Sequence, residues 1–307
     1  MQTPHIPVLL EEVLESFKEI KAGYFVDCTL GYAGHSSEML RRYGHIRHIG
    51  IDRDEEALAF SKKRLEPFAE RSTLYKGTFA TLFPTLTESP ITGVLADFGV
   101  SSLQLDKMER GFSFNSEKLD MRMDATAPLS AYEVVNEYPK EKLEYLFDTY
   151  GEIKPYKKLA AAIVDARSRA PINSAKELAQ IAVDVLGSHG KIHPATLMFQ
   201  AIRIEVNNEL GEIEGLLDAL EERHYQDEIV SLITFHSLED RLVKNRFKKW
   251  STSCICDPQA MRCTCGNDHA LGKPIRRKPV TAGKEELKMN PRSRSAKLRS
   301  FRFTKSS

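Results

Sequence analysis

The sequence is poor in the features that mark several protein classes. It has five cysteines in 307 residues, four of them inside one stretch of twelve, so no disulfide framework spreads along the chain. No apolar run approaches the ~20 residues of a membrane-spanning helix, so no such anchor is expected. Internal repeats and low-complexity tracts are lacking, which sets aside solenoids and disordered linkers. The opening residues include Glu11, Glu12 and Glu15, which do not suit a secretory signal or a transit peptide. A cytoplasmic protein that keeps away from membranes is therefore expected. A strong net charge is also missing: the formal value is +1, so the chain as a whole does not look like a nucleic-acid binder.

What is present is the composition of a globular protein, with 41% hydrophobic and 28% charged residues. The length allows one large domain or two ordinary ones. Charge is unevenly spread. Residues 273–307 hold twelve Lys and Arg against Glu285 and Glu286, a local charge of +10. Such a segment attracts phosphate.

Along the chain, Val8, Leu9, Glu12, Val13 and Phe17 recur at helical spacing, predicting a helix over 8–20. Short apolar runs at 24–28, 46–51, 73–76 and 92–98 read as strands separated by helices, one of them over 54–65. That alternation predicts right-handed crossovers and a mostly parallel sheet. From 105 to 225 the periods are helical. Ser130 with Glu133, and Ser174 with Glu177, each fit a capping box. One longer helix is expected from Pro194, with Phe199, Ile202, Val206, Leu210, Ile213 and Leu217 as its apolar stripe. Strand texture returns at 229–235, with late strands expected at 278–281 and 298–303. The expected organisation is an α/β sheet in two parts, 1–104 and 226–307, interrupted by an all-helical insert over 105–225.

The turn Asp27-Cys-Thr-Leu-Gly31-Tyr-Ala-Gly34-His35-Ser36 joins the first strand to the first helix. Ligands of open α/β sheets bind at the carboxyl ends of the strands. Gly31 suits a tight turn, Gly34 a close approach, and the amides at the helix start suit a carboxylate. Asp52 ends the second strand and can accept ribose hydroxyls. The dinucleotide pattern G-x-G-x-x-G is broken by Ala33 and Ser36. An ordinary tight turn, with Asp52 as a neighbouring helix cap, is the bland alternative.

Longer strings carry a more specific signal. They are His5-Ile-Pro-Val-Leu-Leu10, the 27–36 turn, Gly50-Ile-Asp-Arg-Asp54, Asp97-Phe-Gly-Val-Ser-Ser-Leu-Gln-Leu-Asp106 and Gly111-Phe-Ser-Phe114. Next come Leu119-Asp-Met-Arg-Met-Asp124, His193-Pro-Ala-Thr196, Phe199-Gln-Ala-Ile-Arg-Ile204 and Val206-Asn-Asn-Glu-Leu210. Phe235-His-Ser-Leu-Glu-Asp-Arg241 and Asn290-Pro-Arg-Ser-Arg-Ser295 complete the set. In these strings, which span nearly the whole chain, it resembles the bacterial small-subunit (16S) ribosomal RNA cytosine-N4 methyltransferases, the RsmH or MraW family.

The resemblance implies a Rossmann-like methyltransferase sheet with a helical substrate-recognition insert. It implies S-adenosylmethionine as cofactor, the small ribosomal subunit or its 16S RNA as partner, and the exocyclic N4 of a decoding-centre cytidine as target. Carried over by motif position, the cofactor contacts would be Ala33, Gly34, His35, Asp52, Phe79, Asp97 and Gln104. Phe79 would pack on the adenine and Asp52 would hold the ribose. Ala33 stands where relatives usually have Gly.

Other assignments follow from position. Asp97 ends the fourth strand, where many amino-methyltransferases carry an acid- or amide-led proline string. Here the proline is missing, and Asp97 is expected either to accept the N4 proton or to anchor the methionyl amine. His236 follows the last strand-like run and is expected at the same sheet edge, as a base or phosphate contact or as a structural residue beside a helix capped by Ser237. Arg203 and Asn207, with Gln200, lie along a polar stripe. The resemblance favours RNA or inter-domain contact there over a solvated face. Arg292 and Arg294 in the basic tail are expected to meet RNA phosphate, while Phe301 and Phe303 either stack on bases or pack in the core.

Cys254-Ile-Cys256 and Cys263-Thr-Cys265 have two readings, a structural tetrahedral zinc or four reduced thiols on a loop. Monomer and homodimer both stay open. Rival readings are another RNA or DNA as substrate, an assembly factor without turnover, and a nicotinamide-dependent reductase, which the broken glycine pattern disfavours.

Overall fold

The computed structural model describes residues 7–187, 193–257, 259 and 262–307, without the side chains of Ser102 and Leu103. His5 and Ile6 of the first resemblance string lie outside the described residues. The chain divides into two compact units, 1–99 with 211–307, and 100–210.

The first unit is built on seven strands: β1 Gly23–Asp27, β2 Ile46–Asp52, β3 Ser72–Lys76, β4 Ile91–Asp97, β5 Ile229–Thr234, β6 Gly272–Pro274 and β7 Lys297–Phe303. Their order is β3-β2-β1-β4-β5-β7-β6. β1 to β5 are mutually parallel, and β7 runs antiparallel between β5 and β6. Every residue of β4 from Ile91 to Ala96 is buried, the signature of a strand covered on both faces. Alternate side chains supply the two covers. Val26, Val94, Val230 and Phe301 share one cluster with Leu216, Leu220, Phe247 and Trp250 of the helices Glu209–Glu222 and Ser237–Trp250. Phe25, Leu95, Ile233 and Leu298 share the other with Val13 and Met39 of the helices Leu10–Ser16 and Gly34–Arg42. A three-layer α/β sandwich results, as the alternation of strand and helix predicted.

The second unit is helical. Its helices Ala131–Glu137, Lys140–Thr149, Tyr156–Arg169, Ala175–Leu186 and Thr196–Asn207 surround one core containing Phe147, Ile163, Leu178, Met198 and Ile202. Both expected capping boxes form, at Ser130 with Glu133 and at Ser174 with Glu177.

Several local expectations are corrected. The single helix expected after Pro194 is two, broken at Asn208, which takes a left-handed φ of 48°. Ile213 and Leu217 on the second piece therefore face the sheet core, while Phe199 and Ile202 serve the helical core. The insert expected over 105–225 corresponds to a unit that runs from 100 to 210. The first helix is only Leu10–Ser16, entered through Leu9 at φ 54°. Residues 278–281 form no strand; Val280 makes one isolated bridge to Leu298. The late strand is β6 instead. A Cβ at Gly272 would sit 2.1 Å from the Arg302 carbonyl oxygen, so the close approach needs glycine rather than an apolar run.

Candidate active site

Three parallel strands end on an aspartate: β1 on Asp27, β2 on Asp52 and β4 on Asp97. In the order β2-β1-β4 they are neighbours, and β1/β4 is where the strand order switches direction. The crevice at such a switch, beyond the carboxyl ends, is the binding place of open α/β sheets.

The turn after β1 explains how the chain makes that crevice. Gly31 has φ 50°, and an added Cβ would meet nothing closer than the Thr29 oxygen at 3.8 Å. Its glycine is therefore required by backbone angle, not by crowding. Ala33 also sits in the left-handed region, at φ 55°, as the residue that caps the helix Gly34–Arg42. Its amide bonds the Leu30 oxygen at 2.7 Å and its methyl is fully buried. Gly34 is needed for packing: a Cβ there would lie 2.5 Å from Cγ of Pro7. His35 is buried with Nε2 2.9 Å from the Val8 oxygen, so its ring ties the turn to the incoming chain.

The three carboxyls have different surroundings. Asp52 accepts from the Gly31 amide at 2.7 Å through Oδ2 and from the Asp54 amide at 2.8 Å through Oδ1. An ionised carboxylate has about four acceptor positions, so two remain for hydroxyl donors. Burial raises its pKa. Asp27 accepts from Ser36 Oγ at 2.5 Å and from the Thr29 amide at 3.2 Å. Burial still lifts it to about 6. The backbone amide of Asp97 donates to Thr29 Oγ1 at 2.6 Å. The residue is half-buried, but Oδ1 is sealed from solvent with no hydrogen-bond partner among the described residues. Burial, reinforced by the charges of Asp27 and Glu239, pushes its pKa well above the ordinary carboxylate range. A buried oxygen without a donor is costly and calls for a ligand.

His236 lies beyond the end of β5 and itself caps the helix Ser237–Trp250, with Glu239 at the third position. The cap expected at Ser237 thus falls one residue earlier. Glu239 is fully buried, accepts the Phe235 amide at 2.7 Å, and brings Oε1 to 3.0 Å from Nε2 of His236. Phe79 opens the short helix after β3, with its ring 5.9 Å from that of Phe98.

Not every predicted residue belongs to the unit that carries this edge. Gln104, Arg203 and Asn207 belong to the second unit. Gln104 accepts the Ser101 amide through Oε1 at 3.0 Å. Arg203 makes a two-pronged pair with Glu209, at 2.7 and 2.9 Å. Asn207 is buried; its Oδ1 accepts the Met123 amide at 2.7 Å and its Nδ2 donates to the oxygens of Met121 and Arg203. That amide holds the 119–124 loop. Arg292 and Arg294 are exposed on the 3₁₀ turn Pro291–Ser295. Phe301 and Phe303 are fully buried against Trp250, at 5.4 and 5.1 Å between rings, so they are core residues rather than base platforms. Sequence reasoning missed Thr29, Ser36 and Glu239. Asp27 carried a usable signal, because it ends its strand as Asp52 and Asp97 end theirs.

Comparison with known proteins agrees with this architecture. A ribosomal RNA small subunit methyltransferase H of Sulfurovum sp. (strain NBC37-1) is 79% identical over 303 residues, covering 99% of each chain. Proteins of the same name from Wolinella succinogenes and Aliarcobacter butzleri are 55% and 57% identical over 303 residues; 99% of this chain is covered in both cases, with 99% and 100% of theirs. The model of the MraW methylase family matches residues 2–304, and the chain belongs to that family.

Proposed function

We propose that this methyltransferase moves the methyl group of S-adenosylmethionine to the exocyclic N4 of a cytidine in the decoding centre of 16S ribosomal RNA. The observation that carries the reading is the row of strand-end carboxyls, with the partnerless buried oxygen of Asp97 in the middle of the sheet edge. Membership of a methylase family and the names of the relatives support the substrate class.

The donor set fits such a cofactor. Asp52 keeps acceptor capacity for two ribose hydroxyls, and the amides of Gly34 and His35 at the helix start suit a carboxylate. Phe79 offers an apolar ring for the adenine. Asp97 offers an acceptor for an amino group. When bound, S-adenosylmethionine supplies an electrophilic methyl on a sulfonium.

The cytosine amino nitrogen is a poor nucleophile, because its lone pair is spread into the ring. In the alternative role expected of Asp97, its carboxyl can accept a hydrogen bond from the amino group and return electron density to the nitrogen. With the methyl–sulfur bond broken and its electron pair left on the neutral thioether of S-adenosylhomocysteine, the methylated nitrogen would hold an acidic proton, which the Asp97 carboxylate can take. His236, steadied by Glu239, holds the base or its phosphate at the β5 end. Positioning of this kind is worth several kcal/mol of barrier, on the order of 7 or more when alignment is good. Phosphate contacts fall to the exposed Arg292 and Arg294. We assign Arg203, tied to Glu209, to shaping the helical unit that meets the RNA.

The test is transfer of labelled methyl to small subunits and to naked 16S RNA, with the product nucleoside identified. N4-methylcytidine at one position is the expected result. Methyl on carbon 5 or on an adenine would overturn the N4 reading, and no transfer to either substrate would overturn the activity. If six phosphates are engaged, log affinity should fall with log salt at a slope near about −4; losing Arg292 and Arg294 together should flatten it by roughly 1.4.

A further inference from the structure

The methyl-transfer site makes no use of the four clustered cysteines. They lie between the helix Ser237–Trp250 and the edge strand β6. The two Cys-x-Cys pairs bring their sulfurs together. Sγ of Cys263 lies 3.6 Å from Cys254, 3.6 Å from Cys265 and 4.0 Å from Cys256, and Cys254 lies 3.7 Å from Cys265. All four sulfurs fall within 4.8 Å of one another.

These distances discriminate. A disulfide needs about 2.05 Å. Four thiolates at about 2.3 Å from a tetrahedral zinc lie about 3.8 Å apart. The observed separations are those of the tetrahedron's edges. Two backbone amides also point at sulfur, Ile255 N to Cys265 at 3.4 Å and Thr264 N to Cys256 at 3.2 Å. Amide donors of this kind steady metal-bound thiolates and fix their direction.

The segment also needs a cross-link. None of the described residues from 251 to 270 is buried, so it has no apolar core of its own. Yet it is pinned at both ends. His269 N bonds the Ser253 oxygen at 3.0 Å, Leu271 N bonds the Trp250 oxygen at 2.8 Å, and Lys305 pairs with Asp268 at 2.6 Å. His269 Nε2 also lies 2.8 Å from the Cys265 oxygen. We infer that Cys254, Cys256, Cys263 and Cys265 bind one structural zinc ion, which closes this loop and holds the three-residue strand β6 against β7. Four protein ligands leave no open position, so the metal takes no part in methyl transfer. Cys28 is buried elsewhere, in the sheet core.

The experiment is elemental analysis of the intact, reduced protein, paired with X-ray absorption at the zinc edge. One zinc per chain with about four sulfur neighbours near 2.3 Å is expected. Cys263→Ser should lower zinc content and retention against a chelator by at least about tenfold, while Cys28→Ser keeps full zinc. A metal-free protein with four titratable cluster thiols would overturn the site, as would two disulfides or stoichiometric iron. Amide exchange gives the second readout. Zinc removal should speed exchange across 251–274 and leave β1 and β4 unchanged; unaltered exchange in 251–274 would overturn the clasp.

Discussion

A carboxyl buried beside two other acids keeps its proton more firmly than one in water, and Asp97 is in that position. The sign follows directly. Its folded pKa is above its unfolded value, so folding is favoured below the unfolded pKa and loses that advantage as pH rises through the folded one. Asp97→Asn keeps the shape and removes the charge. We expect the variant to be more stable than the parent at neutral pH, by on the order of 1 kcal/mol in denaturant titration, while methyl transfer is lost. If Asp97 accepts the amino proton it must be ionised, so kcat should rise with pH along a limb displaced above the usual carboxylate range. Near-normal turnover in Asp97→Asn would remove it from the chemistry.

Ala33 gives a second prediction at this scale. A left-handed alanine is strained by about 1–2 kcal/mol, which glycine would relieve. Glycine also adds about 0.4–1 kcal/mol of unfolded-state entropy and gives up a fully buried methyl. The terms oppose each other, so Ala33→Gly should change stability by less than about 1 kcal/mol. Cofactor affinity by calorimetry should move by less than about threefold. A far tighter Ala33→Gly complex would show that the methyl crowds the site.

At the scale of elements, the strand ends and capping boxes follow from local spacing, and the helix after Pro194 shows where spacing stops informing. Its apolar period continues smoothly through Asn208, because an apolar stripe records burial and not which core does the burying. Only the left-handed Asn208 separates a helix serving one core from a helix serving another. Asn208→Gly should be nearly neutral, since glycine takes that angle freely. Asn208→Val should cost about 1–2 kcal/mol or more, because a β-branched side chain is strained there; thermal melts of the two variants will separate them. β6 was illegible for a related reason. Gly272-Lys-Pro274 has no strand pattern, and only the Arg302 carbonyl packed against Gly272 accounts for it.

For the whole molecule, the sheet encloses more than one raised acid, and stability should depend on pH accordingly. Glu228 is fully buried where β5 begins; it accepts the Tyr225 amide at 2.9 Å and has a sealed second oxygen. Burial lifts it from 4.5 to about 8. Stability should therefore be lost as pH rises from about 4.5 to 8, and Glu228→Gln should flatten that fall. The variant's advantage at pH 8 should reach up to about 4 kcal/mol and vanish near pH 4, measured by denaturant titration across the range. An identical pH profile in parent and variant would show that Glu228 keeps its ordinary pKa.

The sequence by itself determined the parallel strands β1 to β5 and the helices between them up to Arg64, the turn at 27–36, the two capping boxes and the family. Those are carried by neighbouring residues, and a local pattern is complete within the string that holds it. The tertiary structure decided the rest, because each case depends on a partner far away in the chain. Asn207 and Arg203 look like a polar stripe until Met121, Met123 and Glu209 consume their hydrogen bonds. Phe301 and Phe303 could stack on bases or pack in the core by sequence, and Trp250 covers them. Asp97 looks like its two strand-end companions until the fold withholds a donor from its oxygen. Four cysteines are only a spacing until the chain turns back and sets their sulfurs at the corners of a tetrahedron.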